Sequence, residues 1–487
     1  MARADGLRKL AEVVQGRVVF PSDLDYDRER LIWNARFETR PLGVVKVASS
    51  EDVRRVIGFA RQHDVRVVAR NGGHSFGGYS TGDGVIVVDV SRLTDVEVSE
   101  DRSRVHLGAG ATVLPTYQAL WPHKLAITAG TCPTVGITGL TAGGGLGVLG
   151  RLYGLTCDSL THVEIVDADG ELLHAGEDRN PDLFWALRGG GGGNFGVVVS
   201  QTFRLVPVDM PFTHSTIAFP WQRAARVVTA WQEWAHGVPG ELWSALMLET
   251  QAPEAGPSAL IEAVYAGDPA RVGGFVDELA AAVGTAPSEV KSSTSEFVTV
   301  PTDFYCKGLR PEECHTEDLF PGGKLPRSAY YAKSDIATGP WPSAGIEALV
   351  AAVEERQRDP LLTPTDFDPH TDAGKILIEI ADGAVGSVAT DATAFPHRDA
   401  LFVLQIASRW RKTGSQEVAA ANMSWAGELY SEVEPYRSGS AYLGYIDPEL
   451  EDWEQAYYGA NLARLRQIKA QYDPDNFFRF ARSIPPA

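Results

Sequence analysis

Cysteine is scarce in this chain. Only four occur in 487 residues, Cys132, Cys157, Cys306 and Cys314, too few for the disulfide framework of a small secreted scaffold. No Cys-X-X-Cys pair and no His/Cys group at zinc spacing is present, so no metal is expected. The spacing of Cys306 and Cys314 leaves their pairing open. Basic runs are missing too. With 44 basic against 63 acidic side chains the net charge is −19, a field that repels polyanions and excludes nucleic acid as a partner. The N-terminal segment has neither an apolar core of signal-peptide length nor a twin arginine. The longest uncharged stretch, 125–150, holds eight glycines and Pro133, which suits a backbone-lined site better than a bilayer. These absences predict a cytoplasmic protein without a membrane partner, its oligomeric state left open.

Apolar residues at 44% and charged residues at 22% are ordinary for a globular chain. At about 150 residues per domain the length allows two or three domains. Glycine is the one excess, 49 residues where about 7% is usual. The glycines gather at 72–84, 136–150 and 189–196. Clusters between apolar runs mark sharp turns or backbone laid against a ligand.

Residues 44–70 read as a β-α-β unit. Ser49 and Ser50 are placed to cap a helix whose Val53, Val56, Ile57 and Ala60 form one apolar face. A strand follows at 85–90, a hairpin at 163–170, a short helix at 182–188 and a long strand at 197–208. From about 209 the texture changes to helices such as 223–235 alternating with strands such as 375–381 and 401–407. A helix bearing Leu462, Leu465 and Ile468 ends at Asp473-Pro474. We therefore expect an α+β fold: a first domain over 1–208, a second over 209–434, and a C-terminal segment, 435–487, that completes the first.

Asn71-Gly72-Gly73-His74-Ser75 follows a strand, and successive N–H groups in such a turn can nest a pyrophosphate. The histidine is the unusual member, since a phosphate cradle needs no imidazole. Cys132 lies in a second glycine-rich loop, where backbone N–H groups would favour a thiolate; the bland alternative is a small buried apolar residue. Gly145-X-Gly147-X-X-Gly150 fits the dinucleotide fingerprint of an NAD dehydrogenase, but the segment before it is no buried strand.

Taken in order, R-N-G-G-H-S, G-T-C-P-T-V-G-I-T-G, L-R-G-G-G-G-G-N-F-G-V-V, T-A-F-P-H-R and Y-D-P-D-N-F-F with S-I-P-P resemble the berberine bridge enzyme-like FAD-linked oxidases, of the vanillyl-alcohol oxidase and p-cresol methylhydroxylase superfamily. The likeness is specific over about 30–208 and 440–485 and thin between. It implies that fold type, with an antiparallel sheet in the substrate domain, and FAD bound covalently twice, through His74 and Cys132. It implies Tyr445 as the base, in Tyr442-Leu443-Gly444-Tyr445, where Gly444 departs from the family's asparagine. A phenol of pKa about 10 would then need stabilisation as phenolate. Val135 would admit O2 to the flavin. Asn71, Gly72, Gly73, Ser75, Gly78 and Tyr79 would line the pyrophosphate, and Gly136, Gly139, Gly144 and Gly147 would allow close backbone approach. Gly196 and Val198 would lie on the adenine side, and Asn461 on the flavin side. Glu249, Glu379 and Gln405, polar within apolar strands, are substrate candidates, and Trp410 is either a stacking face or core.

The implied activity is removal of hydride from an alcohol carbon of a sugar or glycosylated natural product, with O2 as acceptor and H2O2 as product. Oxidative cyclisation or C–C bond formation on a secondary metabolite is the main alternative. An NAD dehydrogenase and a non-enzymatic carbohydrate-binding protein are more distant ones.

Overall fold

The structure, a computed structural model, describes residues 2–487, the first four of them by backbone alone. β1 (Arg17–Val19), β2 (Gly43–Lys46), β3 (Val67–Arg70) and β4 (Ile86–Asp89) form a sheet in the order β1-β2-β4-β3. β2 and β3 both run parallel to β4, which demands a crossover between them. The helix Ser50–His63 supplies it. Ser49 accepts from the Asp52 amide at its start, and Asp64 ends it in the left-handed region. Val53, Val56, Ile57 and Ala60, the expected apolar face, are wholly buried. The buried Asp52 carboxylate takes the N–H groups of Gln15, Gly16 and Ala48 and so ties the helix to the strand before it.

The next strands are β5 (Val96–Val98), β6 (Arg104–Gly108), β7 (Leu125–Ala126), β8 (Leu160–Val166), β9 (Leu172–Gly176), β10 (Val197–Arg204) and β11 (Val206–Pro207). Five of these form the second sheet, in the order β5-β6-β10-β8-β9, while β7 and β11 pair as a separate two-stranded ribbon. β8 and β9 are the expected hairpin. The long strand expected at 197–208 is broken at Leu205: β10 lies between β6 and β8, and after Leu205 the chain changes partner to β7.

The third sheet holds β12 (Phe212–Phe219), β13 (Leu242–Glu249), β14 (Ser258–Ala266), β15 (Glu289–Ser295), β16 (Ser328–Ala337), β17 (Gly374–Ile380) and β18 (Phe402–Arg411). It is antiparallel throughout, in the order β15-β12-β14-β13-β17-β18-β16. The helices Ala224–Gly237, Ser343–Arg358 and Gln416–Glu432 pack on it. Trp410 is buried in this core and serves packing, not stacking.

Buried ion pairs hold the loops that flank β17 and β18 to the short helices after the second glycine loop. Arg151 Nε meets Asp382 at 2.6 Å, and Arg398 grips Asp158 with two bonds of 2.8 and 2.7 Å. The C-terminal helix Leu462–Tyr472 returns to the first part. Its buried Lys469 donates to Asp473 and to the carbonyls of Asn194 and Phe478. Leu465 and Ile468 are buried while Leu462 sits at the edge. Cys306 and Cys314 form a disulfide with Cα atoms 5.5 Å apart. Among the described residues no helix is long and apolar enough to cross a membrane.

Candidate active site

A cavity of about 580 Å³ lies between the glycine loops and the third sheet. Its floor starts at Arg70, the last residue of β3. The guanidinium bonds to Asp89 and to the Glu29 and Leu31 carbonyls, all three partners fixing where the loop begins. The loop 71–79 then meets the loop 130–139 backbone to backbone. A Cβ on Gly72 would stand 2.6 Å from Gly136 N, and one on Gly136 would collide with the Asn71 side chain. Glycine at both places is thus what lets the two loops interlock.

The interlock brings His74 and Cys132 together. Thr134 Oγ1 lies 2.8 Å from His74 Nε2 and 3.9 Å from Cys132 Sγ. His74 also stacks on Trp33, with ring centroids 5.2 Å apart. Burial lowers the His74 pKa to about 3, so the imidazole is neutral, the form with a nucleophilic lone pair. Cys132 goes the other way from the expected thiolate. The amides of Thr134 and Val135 do favour the anion, but burial outweighs them and raises the thiol above its ordinary range.

The rest of the lining is aromatic and acidic. Tyr445 stacks on Phe76 at 5.2 Å and meets Tyr442 edge-on at 4.9 Å. The Tyr442 hydroxyl accepts from the amides of Gly145 and Leu146. Tyr330 donates its hydroxyl to Gln405 at 2.8 Å. Trp243 donates its indole N–H to Glu379 at 3.2 Å. Burial raises the Glu379 pKa to about 7 despite that bond. Among the described residues, no group is found that holds Tyr445 as phenolate. Burial first, then the charge of Glu379, raises its pKa well above the ordinary value.

The cavity gathers most of the expected residues: Asn71, Gly72, Gly73, His74, Ser75, Tyr79, Cys132, Val135, Gly136, Gly139, Gly147, Gly196, Val198, Glu379, Gln405 and Tyr445 all line it. Four expected residues lie elsewhere. Gly78 packs against Phe37 and Gly144 against Phe395, so these glycines make room for side chains. Asn461 donates to the carbonyls of Thr390, Thr393 and Ala394 and braces a loop. Glu249 stands beyond the lining at the strand end, paired in register with Lys375. Lys375, Trp243, Tyr305, Tyr330 and Arg409 line the cavity without having been expected. Lys375 was within reach of the sequence: it lies four residues before Glu379 on one strand, hence on the same face. The aromatic residues carried no such signal.

Several polar atoms in this wall have no protein partner. Both side-chain atoms of the Asn71 amide, the Tyr79 hydroxyl and the Ser80 hydroxyl are buried and unbonded, and all three residues line the cavity. Gly139 lines it as well, and a Cβ there would meet nothing within 4 Å. Buried polar groups are normally satisfied, so this wall is shaped for a large polar ligand, and FAD fits it.

Fold and cavity together define a two-domain α+β flavoprotein. Residues 41–176 match the FAD binding domain family and residues 441–485 the berberine and berberine-like family. The FAD-linked oxidoreductase YgaK of Bacillus subtilis (strain 168), itself called uncharacterized, is 32% identical over 479 residues, covering 97% of each chain. Among solved structures, Physcomitrella patens BBE-like 1 matches with a TM-score of 0.86 at 29% identity over 99% of each chain. Phl p 4, a grass pollen allergen with glucose dehydrogenase activity, matches with a TM-score of 0.84 at 26% identity, over 99% of this chain and 100% of its own. An isoleucine-to-valine variant of Phl p 4 is described as a glucose oxidase. The chain belongs to the berberine bridge enzyme-like FAD-linked oxidoreductases.

Proposed function

We propose that this oxidoreductase removes hydride from an alcohol carbon of a sugar or glycosylated natural product and uses O2 as the final acceptor. One observation carries the reading: His74, Cys132, Tyr445 and Glu379 all line a single cavity. His74 and Cys132 would anchor the flavin covalently, with Thr134 between them as hydrogen-bond partner. The orphaned groups of Asn71, Tyr79 and Ser80 would hold its polar parts. FAD, when bound, would supply the two-electron acceptor for the substrate hydride, with O2 as final acceptor and H2O2 as product.

The chain's own task is the proton. Tyr445 is too weak an acid to serve as a standing phenolate, because burial and a nearby carboxylate oppose its ionisation. It acts instead as a relay, accepting the substrate hydroxyl proton as its own passes toward Glu379. Glu379, at about 7, is a base matched to neutral pH. Val135, beside Cys132, leaves space for O2. The two descriptions of Phl p 4 support that role in kind, since valine in place of isoleucine accompanies oxidase in place of dehydrogenase.

Acid precipitation tests the attachment. The pellet of the purified enzyme is expected to stay yellow. His74→Ala and Cys132→Ala should each keep the flavin in the pellet, and the double variant should release it to the supernatant. Complete release from either single variant would refute two-point attachment. Anaerobic bleaching by a panel of sugars and glycosides tests the substrate class, and a panel without a single bleaching alcohol refutes it.

A further inference from the structure

We infer that the outward face of the second sheet holds a first-row divalent metal ion, zinc(II) or one of like ligand preference, on His162, Glu164 and His174. The site lies away from the flavin cavity, and none of the three residues lines that cavity. His162 and Glu164 stand two residues apart on β8, so their side chains leave the same face. His174 on β9 is in direct register with Glu164. The three ligand atoms lie within 4.8 Å of one another.

The distances leave room for an ion at the centre of the three groups. His174 Nδ1 is 3.4 Å from His162 Nε2 and 3.3 Å from Glu164 Oε1. A proton on His174 Nδ1 can be donated to Glu164, but then His162 has brought a nitrogen to a group already used. With that proton absent, His162 can donate, and the carboxylate then faces a bare lone pair. One cation at the centre satisfies all three. Donors about 2.1 Å from a tetrahedral ion stand about 3.4 Å apart, so two of the three edges already have the spacing of a filled site.

The surroundings match. Ser200 on β10 donates to the second oxygen of Glu164 at 2.7 Å, which orients the first toward the histidines. The His174 and Glu164 side chains are 29% and 30% exposed, leaving room for water as fourth ligand. Two imidazoles and a carboxylate prefer zinc, copper or nickel to calcium or magnesium. The ion would clip the β8–β9 hairpin beside β10, whose Val198 and Gln201 line the flavin cavity.

The test is calorimetric titration of tag-free, flavin-loaded enzyme with zinc chloride after EDTA treatment. One saturable equivalent is expected. His162→Gln and His174→Gln should each weaken it at least about 10-fold, with flavin absorbance and substrate turnover unchanged. Zinc should raise the thermal midpoint of the native sequence and of neither variant. The absence of stoichiometric zinc uptake in the native sequence would overturn the site, and so would either variant titrating like the native sequence, the mark of adventitious binding.

Discussion

Glu379→Gln separates the proposed proton path from its rivals. Burial raises this carboxyl from its ordinary 4.5 to about 7. If the ionised form takes the proton, its fraction grows from about 0.1 at pH 6 to about 0.9 at pH 8, and flavin reduction should quicken roughly tenfold across that window. The glutamine variant keeps the shape but not the base. Its limiting rate at pH 8 should fall about 10²-fold and lose the rise between pH 6 and 8. Anaerobic stopped-flow bleaching under saturating substrate measures both. A second readout follows from the same displacement. Because folding favours the protonated carboxyl, the penalty is absent below about pH 4.5, grows as pH rises, and is complete above about 7, where it amounts to about 3 kcal/mol. Glu379→Gln should therefore melt higher than the native sequence at pH 8 and lose that advantage near pH 4.5. A variant that is slow yet retains an inflection near pH 7 would place the base elsewhere and sink the reasoning.

Tyr445→Phe should keep its flavin and lose most substrate-driven reduction, as read by anaerobic bleaching; near-normal reduction would remove the relay. Asn461→Ala should lower unfolding free energy by about 1–3 kcal/mol in denaturant titration while leaving the flavin spectrum unchanged, since its amide braces carbonyls and does not face the cavity. Arg398→Met strands the buried Asp158 carboxylate and should cost about 3–5 kcal/mol, measured by the same titration.

Local periodicity made the scaffold legible. The helix Ser50–His63, its cap and its buried face follow from side chains a few residues apart, as does the β8–β9 hairpin. The histidine and cysteine loops stood out because glycine clusters are rare in ordinary globular sequence. What those glycines do was harder to read. Gly72 and Gly136 serve the contact of one loop with the other, Gly78 and Gly144 yield to phenylalanines, and Gly139 has open space beside it in the cavity lining. Such distinctions depend on residues distant in sequence. The break at Leu205 has the same origin, for it reflects a change of strand partner. Asn461 was hard to read, because a polar side chain near a ligand loop reads alike whether it faces the ligand or, as here, carbonyls behind it. Among the strand carboxyls, alternation could set Glu379 and Lys375 on one face, but that Glu249 stops short of the lining depends on where its strand ends.

The bonds of Arg151 to Asp382 and of Arg398 to Asp158 have a kinetic corollary. Both are sealed from water and both span the halves that border the cavity. Halves riveted in this way do not clap shut on each arriving molecule. No hinge between them then needs to swing from one turnover to the next.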